Sequence, residues 1–287
     1  MRWLLALILC GCVRTSTQST TVQEKTARLD GEGIRITSDY STIIVRDEKD
    51  VRTMYFVRDN GDLALESSVN IKKPSLLLIP YTRLMMGALL FHPKPKTALM
   101  IGLGGGAMPH HIQAFHNDLR LDAVDIDPEI VRISKEYFFL RPDENLRLYA
   151  ADGFDFIANC ENQYDILFMD AFLKPSEDTD STGTPMRLKT MDFYKQITRC
   201  LTEQGVVAFN INRSFSLKKD IQNIRDAFPQ TWSVPVPKRG NVVVFASVAK
   251  EEIALPLVQT RAQIMEKDRT SSLSYEHVYS IIHNAQK

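Results

Sequence analysis

Gly102-Leu103-Gly104-Gly105-Gly106 stands between an apolar run, Ala98 to Ile101, and a helical pattern, Ala107 to Asn117. Glycines at a strand-to-helix turn let the backbone bend sharply, and they let a ligand approach where a Cβ would block it. Gly102, Gly104 and Ala107 have the G-x-G-x-x-A spacing of a dinucleotide fingerprint, and the same loop suits S-adenosylmethionine (AdoMet). Asp125 closes the next strand-like run, roughly 20 residues on, where a carboxylate accepts hydrogen bonds from both ribose hydroxyls of either ligand. Asp127 is the weaker ribose candidate, because Pro128 behind it makes it a helix N-cap. Asp152-Gly153 follows the third strand; its carboxylate either reaches an adenine amino group or caps the next helix. Asp170 ends the fourth strand, and the carboxyl ends of parallel strands open on the ligand crevice. Its bland alternative is a turn residue.

Such residues need a scaffold of alternating strands and helices. Strand patterns cover 98–101, 121–125, 146–150, 164–169 and 205–210, and helical ones cover 107–117, 128–139, 191–201 and 217–228. Residues 232–236 and 242–248 suit a closing antiparallel pair. Repeated βα units imply an α/β, Rossmann-like fold with a mainly parallel sheet and helices on both faces. Ahead of them, 41–45 and 51–57 read as strands with a polar turn at 47–50, and Asp59-Asn60-Gly61 is a tight-turn sequence. These make a small antiparallel β extension, and 74–91 reads as a largely buried helix. The expected organisation is a signal peptide over 1–12, a polar tether over 13–32, a β domain over 33–73, a ligand-binding domain over 74–250 and a helical segment over 251–287.

Four segments occur in the order of a known family: Ile101 to Gly106, Val124-Asp-Ile-Asp-Pro128, Ala151-Asp-Gly153 and Tyr164 to Asp170. With Ser38-Asp39-Tyr40-Ser41 and Tyr81 ahead of them, the chain resembles the polyamine aminopropyltransferase (spermidine synthase) family from roughly Asp39 to Val248. The resemblance implies a class I AdoMet-methyltransferase-like fold and a ligand with adenosine and a sulfonium centre. It implies transfer of an aminopropyl group from decarboxylated AdoMet, or use of AdoMet itself, with a small-molecule amine as acceptor, no metal, and a homodimer as one assembly. Asp125 then holds the ribose, Asp152 and Gly153 the adenine end, and Gly102, Gly104 and Gly106 the sulfonium side. Asp170 and Tyr81 are the implied catalytic pair; Asp170 holds the attacking amine and accepts its proton. Three departures stand out. Gly105 replaces an aspartate that would hold the aminopropyl ammonium, Leu173 replaces a second acid, and Thr82-Arg83 replaces a glutamine-glutamate pair. Arg83 is expected to repel a cationic amine. The polar, flexible stretch 174–184 lies where an acceptor lid belongs, and Asp170-Ala171-Phe172 onward looks like a divergent branch. Methyl transfer, and a binding protein that has lost turnover, are the alternatives. An NAD(P) oxidoreductase is disfavoured by Asp152-Gly153 together with Asp170.

Lys+Arg and Asp+Glu balance at 35 each, with no basic stripe, so nucleic acid is not suggested as a partner. Met1-Arg2, the apolar run Trp3 to Leu9, then Cys10-Gly11-Cys12 have the shape of a bacterial lipoprotein signal. The expectation is lipidation at Cys12, a membrane anchor and a cell-envelope location, with a cytoplasmic protein as the alternative. Location favours the binding-protein alternative, since an exported protein meets little cytosolic AdoMet. Cys160 and Cys200 read as isolated small side chains. His110, His111 and His116 read as packed or surface histidines, and Glu177, Asp178 and Asp180 as a solvated loop.

Overall fold

The computed structural model describes residues 28–161, 163–267 and 271–286. The expected signal peptide with Cys12, and the expected tether up to residue 27, lie outside the described residues. Four strands open the described chain: β1 (Ile34–Thr37), β2 (Thr42–Glu48), β3 (Val51–Val57) and β4 (Leu63–Asn70) form an antiparallel meander in that order. β2 runs further than its sequence pattern suggests. The polar turn shrinks to Lys49 and Asp50, with Lys49 at φ 55.

The expected helix over 74–91 is replaced by two short ones, α1 (Pro80–Met85) and α2 (Ala88–Phe91). Pro80 is the cause. It disfavours helical backbone at the residue before it, and Ile79 is extended (φ −85, ψ 128). Tyr81 therefore sits in the first turn of α1.

β5 (Thr97–Ile101), α3 (Ala107–Phe115), β6 (Arg120–Asp125), α4 (Pro128–Glu136), β7 (Leu146–Ala150), α5 (Gly153–Ala158), β8 (Tyr164–Met169), α6 (Met191–Arg199) and β9 (Leu201–Ile211) alternate strand and helix. α7 (Leu217–Ala227) leads to the antiparallel pair β10 (Gln230–Pro235) and β11 (Val242–Ser247), and α8 (Leu255–Lys267) and α9 (Tyr275–Asn284) finish the chain. The large sheet has seven strands in the order β10-β11-β9-β8-β5-β6-β7. β5 to β9 are mutually parallel, and β11 runs against both its neighbours. After β5 the chain moves outward to β6 and β7, then returns to β8 on the other side of β5. The crevice at the carboxyl end of β5 is thus the topological switch point where open α/β sheets bind ligands. Apolar side chains of β5, β8, β9 and β11 are buried on both faces, as a sheet covered by helices requires.

Two polar links fix the small sheet to the large domain. Arg52 is buried and gives Asp47 a two-pronged ion pair (2.7 and 2.8 Å), while its Nη1 donates to the Tyr137 carbonyl at 2.7 Å. Ser38 Oγ donates to Asp127 at 2.5 Å. Burial opposes the charge on Asp47, but hydrogen bonds from Arg52 and the Leu29 amide hold its carboxyl below the usual range. Arg52→Ala strands that carboxylate and is expected to cost about 3–5 kcal/mol of stability in chemical denaturation. Because the Asp47 pKa is depressed, the pair contributes fully above the unfolded carboxylate's pKa of about 4 and is lost as the pH falls below it. The difference between wild type and variant should therefore narrow in acid.

Candidate active site

The loop after β5, Asp125, Asp152 and Asp170 meet at the carboxyl ends of four parallel strands and line one cavity of about 1040 Å³. Gly102 has φ +93, and a Cβ there would lie 2.1 Å from the Asp170 carbonyl oxygen. This glycine lets β5 and the end of β8 come together. Gly106, the residue before α3, is left-handed at φ 75, and a Cβ on it would press on Leu140 at 2.8 Å. A Cβ at Gly104 (φ +52) would meet only the Ser67 side chain, at 3.5 Å, so the loop has an open face beside Ser67. Gly153 packs so closely on β5 that a Cβ would lie 2.4 Å from Ile101 Cγ2.

Asp125 accepts from the Leu103 amide at 2.8 Å and the Asp127 amide at 3.1 Å. Burial pushes its carboxyl up to about 6 against those bonds. Asp127 has both oxygens engaged, one capping α4 through the Glu129 amide (2.9 Å) and the other on Ser38. Asp125 also has both oxygens bonded, but it is half-buried on the cavity wall where Asp127 is buried, so of the two Asp125 is the better placed to meet a diol. Asp152 caps α5 through the Phe154 amide (2.8 Å) and takes Arg187 Nη1 at 2.9 Å. Asp152 is thus a helix cap, as one of its two sequence readings has it, and it also lines the cavity. Arg187 also lies over the Phe154 ring at 4.1 Å.

Asp170 accepts from Asn210 Nδ2 at 2.8 Å and from the Tyr81 hydroxyl. Burial pushes its carboxyl up to about 6 despite these donors. Burial, together with the negative charges of Asp170 and Glu66, pushes the Tyr81 phenol well above its ordinary value. Tyr81 is thus a fixed donor, not a base. Asn241 Nδ2 donates to Asn210 Oδ1 (3.0 Å) and Asn212 Oδ1 (2.7 Å), which orients the Asn210 amide with its NH₂ toward Asp170.

Glu66 was not singled out by sequence. The β3–β4 register passes from Met54↔Ser67 to Tyr55↔Leu65, so Glu66 is the extra residue of a β-bulge. Bulges re-aim side chains beside active sites, and this one turns Glu66 into the cavity. Burial and the Asp170 charge push its carboxyl up to about 8. A broken two-residue alternation in Leu63-Ala-Leu-Glu-Ser-Ser-Val is the only trace in the sequence, and it does not say which residue bulges.

Four expectations are corrected. Arg83 lines no cavity; it is exposed and donates to the Leu77 carbonyl, so it cannot repel a bound amine. The stretch 174–184 is internally tied rather than free: the Leu173 amide donates to Gly183 O at 2.8 Å, and Thr179 bridges Pro185. Asp180 is not solvated. It is half-buried, holds the Thr182 and Thr184 amides and shares Lys189 with Asp220. Cys160 lies beside Cys200, whose thiol is pushed upward first by burial and then by Cys160. The histidines are structural: His110 bonds Phe138 O, His111 bonds Ser75 O and His116 bonds the Tyr275 hydroxyl. Among the described residues no cluster suits a metal ion, and no helix is long and apolar enough to cross a membrane.

A Cβ at Gly105 would lie 2.9 Å from the Phe138 ring and from Ser67 Oγ. The segment after α4, where Phe139 adopts φ 61, packs Phe138 under the loop. An aspartate does not fit there unless these side chains move.

Residues 79–256 match the spermine/spermidine synthase domain. The chain is 28% identical to a polyamine aminopropyltransferase of Vibrio vulnificus over 72% of this chain and 69% of that one. It is 27% identical to the mouse eEF1A lysine and N-terminal methyltransferase over 63% of this chain but only 27% of that protein. A crystal structure of spermidine synthase in complex with the transition state analogue AdoDATO superposes with a TM-score of 0.64 at 19% identity, covering 86% of this chain and 84% of that one. Sheet order, switch-point site and these likenesses agree, and the chain belongs to the spermine/spermidine synthase family.

Proposed function

We propose that the protein transfers an aminopropyl group from decarboxylated AdoMet to an amine. The observation that carries this reading is the pair of acidic groups, Glu66 and Asp170, facing each other in a cavity whose lining cations, Arg187 and Lys174, are paired with Asp152 and Asp59. An ammonium tail is attracted by the Asp170 carboxylate and favours the ionised form of Glu66, and the carboxylate of AdoMet gains neither. The likenesses to an aminopropyltransferase and to spermidine synthase support the same donor.

Asp125 receives the ribose hydroxyls, Asp152 and Gly153 border the adenine, and Gly102 and Gly104 make the floor beneath the sulfonium side, while Gly106 packs behind them on Leu140 and does not line the cavity. Tyr81 and Asn210 hold the Asp170 carboxylate in one orientation. The acceptor nitrogen, placed by Asp170, attacks the aminopropyl carbon next to sulfur. The new C–N bond forms as the C–S bond breaks, its electron pair stays on sulfur as a neutral thioether, and the nitrogen's proton passes to Asp170. Orientation and proton acceptance are the protein's share of the work. No metal enters the scheme.

Methyl transfer from AdoMet is the second reading. Gly105 favours it, because the loop carboxylate that would select the decarboxylated donor is missing, and so does the likeness to a methyltransferase. Calorimetry with decarboxylated AdoMet, AdoMet, methylthioadenosine and NAD separates the readings. Decarboxylated AdoMet should bind most tightly of the four. AdoMet in first place would favour methyl transfer, and NAD alone would sink both. Asp125→Asn should weaken every adenosyl ligand by roughly tenfold to a hundredfold, the loss of a charged hydrogen-bond acceptor.

A lipid anchor at Cys12, with a cell-envelope location, is a separate proposal resting on residues 1–12 alone. Equal lipid labelling of wild type and Cys12→Ser would remove it. A homodimer is proposed on the family likeness only, and sedimentation would read it directly.

A further inference from the structure

A second cavity of about 550 Å³ adjoins the first and shares Glu66, Tyr81 and Leu173 with it. Its walls differ in charge from those beside Asp170. Arg58 follows β3, Arg239 lies in the β10–β11 turn, and both line this chamber. Among the described residues neither arginine has an ion-pair partner, whereas Lys174 in the same wall is held by Asp59. Asn212 and Asn241 add amide groups between them, and Asp62 is the other acid besides Glu66. Asp62 already accepts from Asn60 at 2.7 Å. Arg58 lies near enough to Glu66 to oppose the rise in its pKa. Asp170 lines the adjoining cavity, Glu66 lines both and marks where they join, and the exposed Arg58 and Arg239 give the second chamber a cationic wall.

A diamine needs an anionic group at both ends, and beyond Glu66 this chamber offers two arginines without ion-pair partners among the described residues. Leu173, where a second acid would have served the diamine, fits the same pattern. We propose that the second chamber is the acceptor site and that it takes an amino acid-like acceptor, an amine whose far end carries a carboxylate. The amine lies at Asp170 and Glu66, and the carboxylate lies at Arg58 and Arg239. Guanidinium groups suit this task because they meet carboxylates with two parallel hydrogen bonds. The amine end rests on the transferase reading; the carboxylate end does not.

Calorimetry on the full chain with methylthioadenosine present tests the inference. The probes are ω-amino acids of two to six carbons, each against the diamine of equal length. The expected result is at least tenfold tighter binding of one amino acid over its diamine. Combined Arg58→Gln and Arg239→Gln should bring that ratio to about one, a loss of roughly tenfold to a hundredfold. Arg239→Glu should reverse it in favour of the diamine, a gain that misfolding cannot mimic. Tighter binding of diamines to wild type, no binding by any probe, or a ratio unmoved by the variants would overturn the proposal. So would a variant that loses AdoMet but keeps acceptor binding, since the arginines would then serve the donor. Turnover, read in parallel as adenosyl thioether released, keeps the two claims apart. Amino acid preference without turnover sinks the transferase reading and leaves this one standing; turnover on diamines alone does the reverse.

Discussion

Asp170→Asn is expected to lower kcat about 10²–10⁴-fold, the usual contribution of a positioned proton acceptor. Binding of methylthioadenosine should change little, because Asp125, Asp152 and the glycine loop are untouched. The variant keeps an oxygen for Asn210 and Tyr81, so its fold should survive. Its pH profile separates chemistry from structure. Burial puts the Asp170 carboxyl up to about 6, so kcat/KM of the wild type should fall as the pH drops through that value. Asp170→Asn should lack that limb. The Glu66 pKa, held up to about 8 first by burial and then by the Asp170 charge, should fall in the variant. For stability the sign is opposite to that of Asp47. Asp125 and Asp170 bind protons more readily folded than unfolded, so their burial costs stability at neutral pH, and that cost disappears as both protonate between about 6 and 4.

Gly102→Ala should be the most damaging single methyl added to the site. Its Cβ would stand 2.1 Å from the Asp170 carbonyl oxygen, and backbone at φ +93 is foreign to alanine. Strain and overlap each cost about 1–3 kcal/mol. Neither can relax without moving the end of β8, so Asp170 moves with it. The expected result is a lower thermal midpoint together with loss of adenosyl-ligand binding. Gly104→Ala is the control. A Cβ there meets only Ser67, at 3.5 Å, so the strain of its φ is its main cost, about 1–2 kcal/mol. If the two variants are equally stable, the close approach of Gly102 to β8 is not what the loop is built around.

Much of this was legible because parallel strands announce themselves. β5 and β8 carry apolar runs, Ala98 to Ile101 and Ile166 to Met169, β6 is interrupted by Asp122, and each of the three leads to what lines the crevice: the glycine loop, Asp125 and Asp170. Pro128 after Asp127 assigned the cap correctly, and Asp127 caps α4 through the Glu129 amide. What failed depended on partners distant in sequence. Glu66 enters the site through a bulge set by its pairing with β3, and pairing is not written in one strand. Arg83 looked placed to repel an amine, yet α1 begins only at Pro80 and carries the arginine outward. The cationic wall of the second chamber joins Arg58 to Arg239, from two different sheets. Asp180 was read from its acidic neighbours, and its partner Lys189 lies beyond a loop that no local pattern closes.

The central claim, an aminopropyltransferase with Asp170 as proton acceptor, is tested most directly by the nucleoside released on turnover. The purified full chain is incubated with decarboxylated AdoMet and, separately, with AdoMet, each with a panel of diamines and amino acids. Methylthioadenosine and S-adenosylhomocysteine are then quantified by mass spectrometry. The account predicts methylthioadenosine from the decarboxylated donor, dependent on an acceptor and abolished by Asp170→Asn. S-adenosylhomocysteine from AdoMet as the sole product, or no nucleoside product across the panel, would contradict it.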